Sequence, residues 1–279
     1  MTTLPADIAF GPICLAVADL SRSVAFYQDV LGLRLHGRDG RQAVLGAAAP
    51  LVRLVAQPGA RPVQRAAGLY HVALRVPQRA DLADVLAHLL AIDAPLLGAA
   101  DHIVSEALYL ADPDGHGIEV YHDRPRSAWY DARGRFLLTT QPLDGNGLLA
   151  LADGRRWAQL PDASDIGHVH LQVGDVAAHV GFYTDVIGFA VMARIAGAAF
   201  IAAGGYHHHL GLNSWAGRDL AAAPADAARL LEVALCMPAA ALDALAGRLA
   251  QAGVAHAADG AALVCHDPAG NRWVFWPTA

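Results

Sequence analysis

GHVHLQVGDVAAHVGFYTDVIGF (residues 167–189) repeats, without a gap, the earlier stretch GPICLAVADLSRSVAFYQDVLGL (residues 11–33). Internal similarity of this kind outranks local propensity, because one repeated unit fixes the architecture of the whole chain. Both copies open on period-2 alternation, Ile13/Leu15/Val17 and Val169/Leu171/Val173, the mark of a half-buried strand. Asp19 and Asp175 then stand where a helix needs an N-cap. Apolar side chains at helical spacing follow (Val24, Phe26, Tyr27, Val30 and Leu31 in the first copy), and Gly32 and Gly188 close the two helices.

Two more segments open on a strand ending in Pro, LYHVALRVP (69–77) and LEVALCMP (231–238). Each runs into an Ala/Leu-rich helix, 81–91 and 239–252. Each then passes a DPxG turn into a last strand, 112–121 and 267–276. The chain thus reads as four βαβββ modules over 8–58, 68–122, 166–215 and 230–279. They are grouped as an N-terminal half (1–122) and a C-terminal half (166–279) around a connection at 123–165 with turn signals at Asp144-Gly145-Asn146-Gly147 and Asp153-Gly154. The Ala-rich run 221–228, broken by Pro224 and Asp226, reads as surface linker or helix. A lone module leaves an apolar sheet face bare, so modules must pair.

Composition excludes several classes. With 55% hydrophobic and 16% charged residues, the chain is too apolar for disorder. A net charge of −6 without a Lys/Arg run argues against nucleic acid or an anionic membrane as partner. No apolar stretch reaches spanning length, and the first residues lack the pattern of a secretory signal. Cys14, Cys236 and Cys265 form no CxxC pair, so a disulfide framework is not expected and a reducing cytoplasm is.

The repeat resembles the vicinal-oxygen-chelate superfamily, which includes glyoxalase I, bleomycin-resistance proteins and extradiol dioxygenases. That resemblance implies an α+β fold in which the four βαβββ modules form two paired, cup-shaped mixed β-sheets with helices outside. It also implies a metal in the cup, held from the first and last strands of paired modules. The first-strand slot holds Pro12, His71, His168 and Glu232 in modules one to four. The last-strand slot holds Glu119 in module two and Val274 in module four. Ligand-competent residues therefore concentrate in the middle modules, and His71, Glu119 and His168 are the implied metal set. Modules two and three would build the active cup, and modules one and four a metal-free one, with Glu232 unexplained. Two imidazoles and one carboxylate suit non-haem Fe(II), with Mn(II) as a substitute occupant.

The segment DHIVSEALYLADPDGHGIEVY (101–121) resembles the signature of extradiol dioxygenases, with Ala100 departing from the residues usual at its position. The resemblance gives Tyr109 a hydrogen bond to one substrate oxygen and His102 a place near the other. Asp112, Pro113 and Gly115 are turn residues. In GGYHHHLGLN (204–213), alternation along a strand would send His208 one way and His207 and His209 the other. Resemblance to the biphenyl-type enzymes assigns acid–base work to His208. Arg124, Arg126 and Trp129, in HDRPRSAWY, either wall or cover the mouth of the cup or form a solvated loop anchored by Trp129. GLYH, SEALYL, DPDG, DRPRS and GGYHHH are similar to four-module catechol 2,3-dioxygenases of bacilli. The implied activity is meta cleavage of a small aromatic diol with O2. Competing readings are a glyoxalase-like isomerase or thiol transferase, which would use a fourth ligand, and a metal-free small-molecule-binding or resistance protein. Open sheet edges also make a homo-oligomer an expectation.

Overall fold

The computed structural model describes residues 3–63, 65–154 and 157–278. Positions 1, 2, 64 and 279 of the expected halves, and 155 and 156 of the expected connection, lie outside the described residues. Module one contributes β1 (Ala9–Phe10), β2 (Ile13–Val17), α1 (Leu20–Asp29), β3 (Arg34–Arg38), β4 (Gln42–Gly46) and β5 (Pro50–Ala56). Module two contributes β6 (Gly68–Arg75), α2 (Arg79–Ala91), β7 (Gly98–Asp101), β8 (Ser105–Ala111) and β9 (Gly117–Asp123). A short helix, α3 (Gly145–Leu149), interrupts the connection. Module three then holds β10 (Asp165–Gln172), α4 (Val176–Gly181), β11 (Ala190–Ile195), β12 (Ala198–Ala202) and β13 (Leu210–Asn213). Module four holds β14 (Leu230–Met237), α5 (Ala239–Gln251), β15 (His256–Asp259), β16 (Ala262–His266) and β17 (Arg272–Pro277).

Among the described residues the strands form two mixed sheets. One runs β15-β16-β17-β14-β2-β5-β4-β3, with β1 also on β14; the other runs β11-β12-β13-β10-β6-β9-β8-β7. Module one is thus continuous with module four, and module two with module three. The same rule builds every unit. The long opening strand of each module (β2, β6, β10 or β14) lies parallel to the last strand of its own module and antiparallel to the opening strand of the partner module. These strands therefore sit at the centre of each sheet. That is why β2 is buried on both faces rather than half-buried as its alternation suggests.

Hydrogen bonds between consecutive modules explain two motifs of the repeat. Tyr27 donates to Asp112 Oδ2 at 3.3 Å, and Tyr183 donates to Asp267 Oδ2 at 2.7 Å. In each DPxG turn, the other carboxylate oxygen accepts two backbone amides of the turn itself. The Tyr of each Phe-Tyr pair is therefore the partner of the next module's turn Asp. It ties a helix packed on one sheet to a turn of the other.

The caps at Asp19 and Asp175 are made as expected, each accepting amides of its first helical turn. The second copy differs from the first beyond that point. After α4 the chain continues as a π-helical turn over Phe182–Ile187. There the Thr184 hydroxyl donates to Val180 O, a carbonyl that an α-helix would give to the Thr184 amide. Asp144-Gly145-Asn146-Gly147 is not a plain turn but the start of α3, because Asp144 caps it through the Gly147 amide. Of the two readings of 221–228, the linker is observed: no helix forms there.

Replacing Tyr183 by Phe should cost roughly 1–3 kcal/mol, since a buried carboxylate oxygen loses a neighbour-module donor. Chemical denaturation would register this as a lower midpoint at unchanged slope. A midpoint unchanged from the parent chain would mean that the inter-module bond contributes nothing.

Candidate metal centre

The register of three adjacent strands assembles the centre. Ala73 of β6 stands opposite His168 of β10 on one side and Glu119 of β9 on the other. His71 lies two residues earlier on β6, so it projects from the same face. Ala73 is the small floor between the three larger side chains. His71 Nε2 lies 3.0 Å from Glu119 Oε2 and 3.4 Å from His168 Nε2, and His168 Nε2 lies 3.2 Å from the same oxygen. All three residues are buried, at 6%, 2% and 1% exposure for His71, Glu119 and His168. Among the described residues they are the group of ligand side chains that converges closely enough to hold an ion. Neighbouring donors on bonds of about 2.1 Å stand roughly 3.0 Å apart around an octahedral ion and about 3.4 Å around a tetrahedral one. The spacing thus fits a metal, and the donor types rather than the spacing must select which.

Electrostatics favour the binding-competent protonation states. Burial alone would raise the Glu119 carboxyl, but the charges and hydrogen bonds of His168 and His71 outweigh it and hold the group well below its ordinary value. Burial draws His168 down to about 4 against the opposing pull of Glu119. At neutral pH the set is an ionised oxygen beside a His168 imidazole with a free lone pair, the form a metal requires.

The other cup answers the question raised by Glu232. There Cys14 of β2 takes the place of Ala73, flanked by Arg53 of β5 and Glu232 of β14. Glu232 accepts from Arg53 Nη2 at 3.1 Å and pairs with Arg272 through its second oxygen. An internally paired ion cluster takes the place of a metal set here, and Pro12 and Val274 offer no ligand.

A cavity of about 1040 Å³ opens over the centre. His71, Glu119, Tyr109, His102 and His208 line it, with Tyr70, Phe200, Leu97, Ile195 and Trp215 as apolar wall and rim. His102 Nδ1–H donates to Thr139 O at 2.9 Å, which leaves its Nε2 to accept the Tyr109 hydroxyl at 2.7 Å. Burial pushes the Tyr109 phenol well above its usual value, and the charge on Glu119 pushes it further, so it remains a neutral donor.

One expectation requires correction. The run His207–His209 is not strand but the loop before β13, because Gly204 and Gly205 take successive positive φ angles (58° and 66°) that turn the chain. Faces there are set by partners and not by alternation. His208 stands in the cavity, its ring centroid 4.1 Å from that of His168. Burial holds the His208 imidazole well below its ordinary value, and its histidine neighbours lower it further. His207 bonds Asp123 behind it, and His209 accepts the Ala203 amide. Arg124 pairs with Asp101, and Trp129 is buried against Tyr206 with its Nε1–H on Arg124 O, so HDRPRSAWY forms a back wall rather than a lid. Of the two readings of that loop, the Trp anchor is the one observed.

His170 escaped the sequence reading. It lies directly opposite His71 in the β6–β10 ladder, is 4% exposed, and its Nε2 finds no protein partner. It faces the cavity beside Phe200 and Trp215. The i, i+2 spacing of GHVHL was the available signal. Gly211, its partner on β13, occupies the position in module three that Glu119 has in module two. A side chain there would strike the His170 ring, so a fourth ligand and His170 exclude one another.

The profile of the glyoxalase/bleomycin resistance protein/dioxygenase superfamily matches residues 9–120 and 165–275. The chain belongs to this superfamily. It is 42% identical over 261 residues to the catechol-2,3-dioxygenase of Bacillus subtilis strain 168, covering 91% of each chain. Among solved structures, a Bacillus subtilis protein aligns with a TM-score of 0.68 at 14% identity, over 98% of this chain and 86% of that one. Glyoxalase I of Zea mays aligns at 0.57 and 15%, over 97% and 92%. These distant structures bear out the α+β fold of paired modules. Superfamily membership together with the buried His-Glu-His group implies a metal cofactor. No helix among the described residues is long and apolar enough to cross a membrane.

Gly167, immediately before His168, has no room for a methyl group, because a Cβ there would meet the Tyr121 hydroxyl. Tyr121 packs on the His168 ring at 4.9 Å between centroids. Gly167→Ala should therefore displace both and weaken metal binding roughly 10–100-fold, while Gly167→Ala with Tyr121→Leu, which removes both the hydroxyl and the ring carbon that crowd the new Cβ, recovers part of the loss. Metal titration calorimetry distinguishes this from a merely destabilised strand, in which the second substitution would give no recovery.

Proposed function

We propose that the protein cleaves the ring of catechol-type diols beside, not between, the hydroxyl-bearing carbons, with O2 at a non-haem Fe(II) held by His71, Glu119 and His168. The observation carrying this reading is the three-donor set itself, with Gly211 where a fourth ligand would stand. Three donors on one side of an ion leave positions for a bidentate diol and for dioxygen, whereas zinc sites favour four-coordinate closure. The reading is also supported by 42% identity to a catechol-2,3-dioxygenase over nearly the whole chain. Mn(II) is the substitute the same donors would accept.

When bound, Fe(II) supplies the electronic coupling between diol and dioxygen that the protein's own side chains lack. The chain's residues do the rest. Tyr70, Phe200 and Trp215 offer aromatic surface to the ring and exclude water from one side of it. When the diol binds, Tyr109 turns its one proton from His102 Nε2 to the diol oxygen nearest β8, and His102, bare at Nε2, is left to accept from the second hydroxyl. His208, kept neutral by burial, takes the proton released when the diol binds and returns it as the ring opens. Catechol plus O2 gives hydroxymuconic semialdehyde, with both oxygen atoms retained in the product.

A glyoxalase-like isomerase would ask for a fourth ligand, which Gly211 cannot be. A metal-free small-molecule-binding or resistance protein has no use for the buried His-Glu-His set. The three cysteines are free, and we place the enzyme in the cytoplasm on that ground. We also read residues 1–122 and 166–279 as two halves joined by 123–165, and propose a homo-oligomer formed through the open sheet edges.

Anaerobic loading with Fe(II), followed by catechol and air, should consume O2 and give a yellow product. Tyr109→Phe should lower kcat roughly a hundredfold, and Glu119→Gln should abolish both turnover and stoichiometric iron. Iron bound without O2 uptake, or nickel- or zinc-dependent isomerase activity instead, would defeat the assignment.

A further inference from the structure

Asp123, His207 and His208 form a hydrogen-bonded line running from the back wall into the cavity. His207 Nε2 lies 2.6 Å from Asp123 Oδ1, and His207 Nδ1 lies 2.7 Å from His208 Nδ1. The other oxygen of Asp123 is taken, since Tyr206 donates to it at 2.9 Å and Arg75 Nη1 at 3.1 Å. His207 is fully buried, boxed by Tyr206 and Trp129 with ring centroids at 4.1 and 5.1 Å. It has no second place to turn.

We propose that Asp123 and His207 are positioning residues that fix the tautomer of His208, leaving its Nε2 as a bare lone pair for the substrate proton. This rests on the acid–base role given to His208 above. The logic is one of donors and acceptors. An ionised carboxylate can only accept, so His207 must carry its proton on Nε2. In the neutral ring Nδ1 then accepts, and the contact at 2.7 Å requires His208 to carry its own proton on Nδ1. The ring nitrogen left for the cavity is Nε2, without a proton. With the opposite tautomer His208 would present an N–H and could not act as the base. The same arrangement accounts for the motif HDRPRSAWY, in which Asp123 supplies the fixed acceptor and Trp129 closes the box around His207.

Asp123→Asn is the informative substitution because its amide cannot be placed neutrally. Arg75 and Tyr206 are both donors, so the amide oxygen must face them and the NH2 must face His207. His207 is then forced to accept on Nε2 and to donate from Nδ1. That drives the His208 proton onto Nε2, where it blocks the base.

The decisive measurement is the imidazole 1H–15N spectrum of the full-length, metal-free protein labelled on histidine, which reads each tautomer directly. The result expected is a His208 proton on Nδ1 in the native chain and on Nε2 in Asp123→Asn. In the iron-loaded enzyme, Asp123→Asn should lower kcat about a hundredfold with KM for catechol and iron content unchanged. It should cost nothing further in a His208→Gln background. A native His208 proton on Nε2 overturns the proposal without recourse to any variant. So do effects of Asp123→Asn and His208→Gln that multiply. The expected native tautomer in a protein inactive toward catechol would leave this relay standing and defeat only the dioxygenase reading.

Discussion

The antiparallel pairing of β6 with β10 is the constraint on which the rest depends. These two central strands come from adjacent modules, and their register sets His168 across from Ala73 while β9 brings Glu119 to the other flank. A slip of one residue would turn each of these side chains to the opposite face and dissolve the centre. The register is held where it is by apolar side chains on the reverse face. Val72, Leu74, Val169 and Leu171, all buried in the main core, cannot be exposed without losing several kcal/mol of burial. The chemistry of one face is thus positioned by the hydrophobic packing of the other.

The two cups show what the same geometry does with different residues. Ala73 and Cys14 hold equivalent places, and both are flanked by charged or polar side chains from neighbouring strands. In one cup the flanking donors are a carboxylate and an imidazole, which leave lone pairs aimed at a shared point. In the other, Arg53 and Arg272 satisfy Glu232 from within the protein. The carboxylate is compensated in either case, the buried Glu119 of necessity and the half-buried Glu232 by its own ion pairs. A cation from solution does this where the neighbours are histidines, and a guanidinium does it where they are arginines.

Much of this was legible in the sequence because the repeat carries it. Four strand–helix–turn units, the caps at Asp19 and Asp175, and the trio His71, Glu119 and His168 all follow from aligning the modules with one another and with a known family. What was not legible depended on contacts between residues far apart in the chain. The face of each histidine in 207–209 is decided by Gly204, Gly205 and Asp123, not by strand alternation. His170 matched no ligand slot, and only the ladder reveals that it stands opposite His71 with room made by Gly211. Nearness along the chain to Glu119 left two readings of Arg124, Arg126 and Trp129 open; the hydrogen bond from Trp129 Nε1–H to Arg124 O, a contact within the loop itself, decides for the anchor.

The most direct test of the central claim is an anomalous difference map from crystals of the iron-loaded protein, recorded across the iron absorption edge. A single strong peak within bonding reach of His71 Nε2, His168 Nε2 and Glu119 Oε2 is the result expected. The second cup, between Arg53 and Glu232, should be without one. A peak elsewhere, or a refined structure in which those three side chains point to different cavities, would contradict the metal centre and the activity built on it.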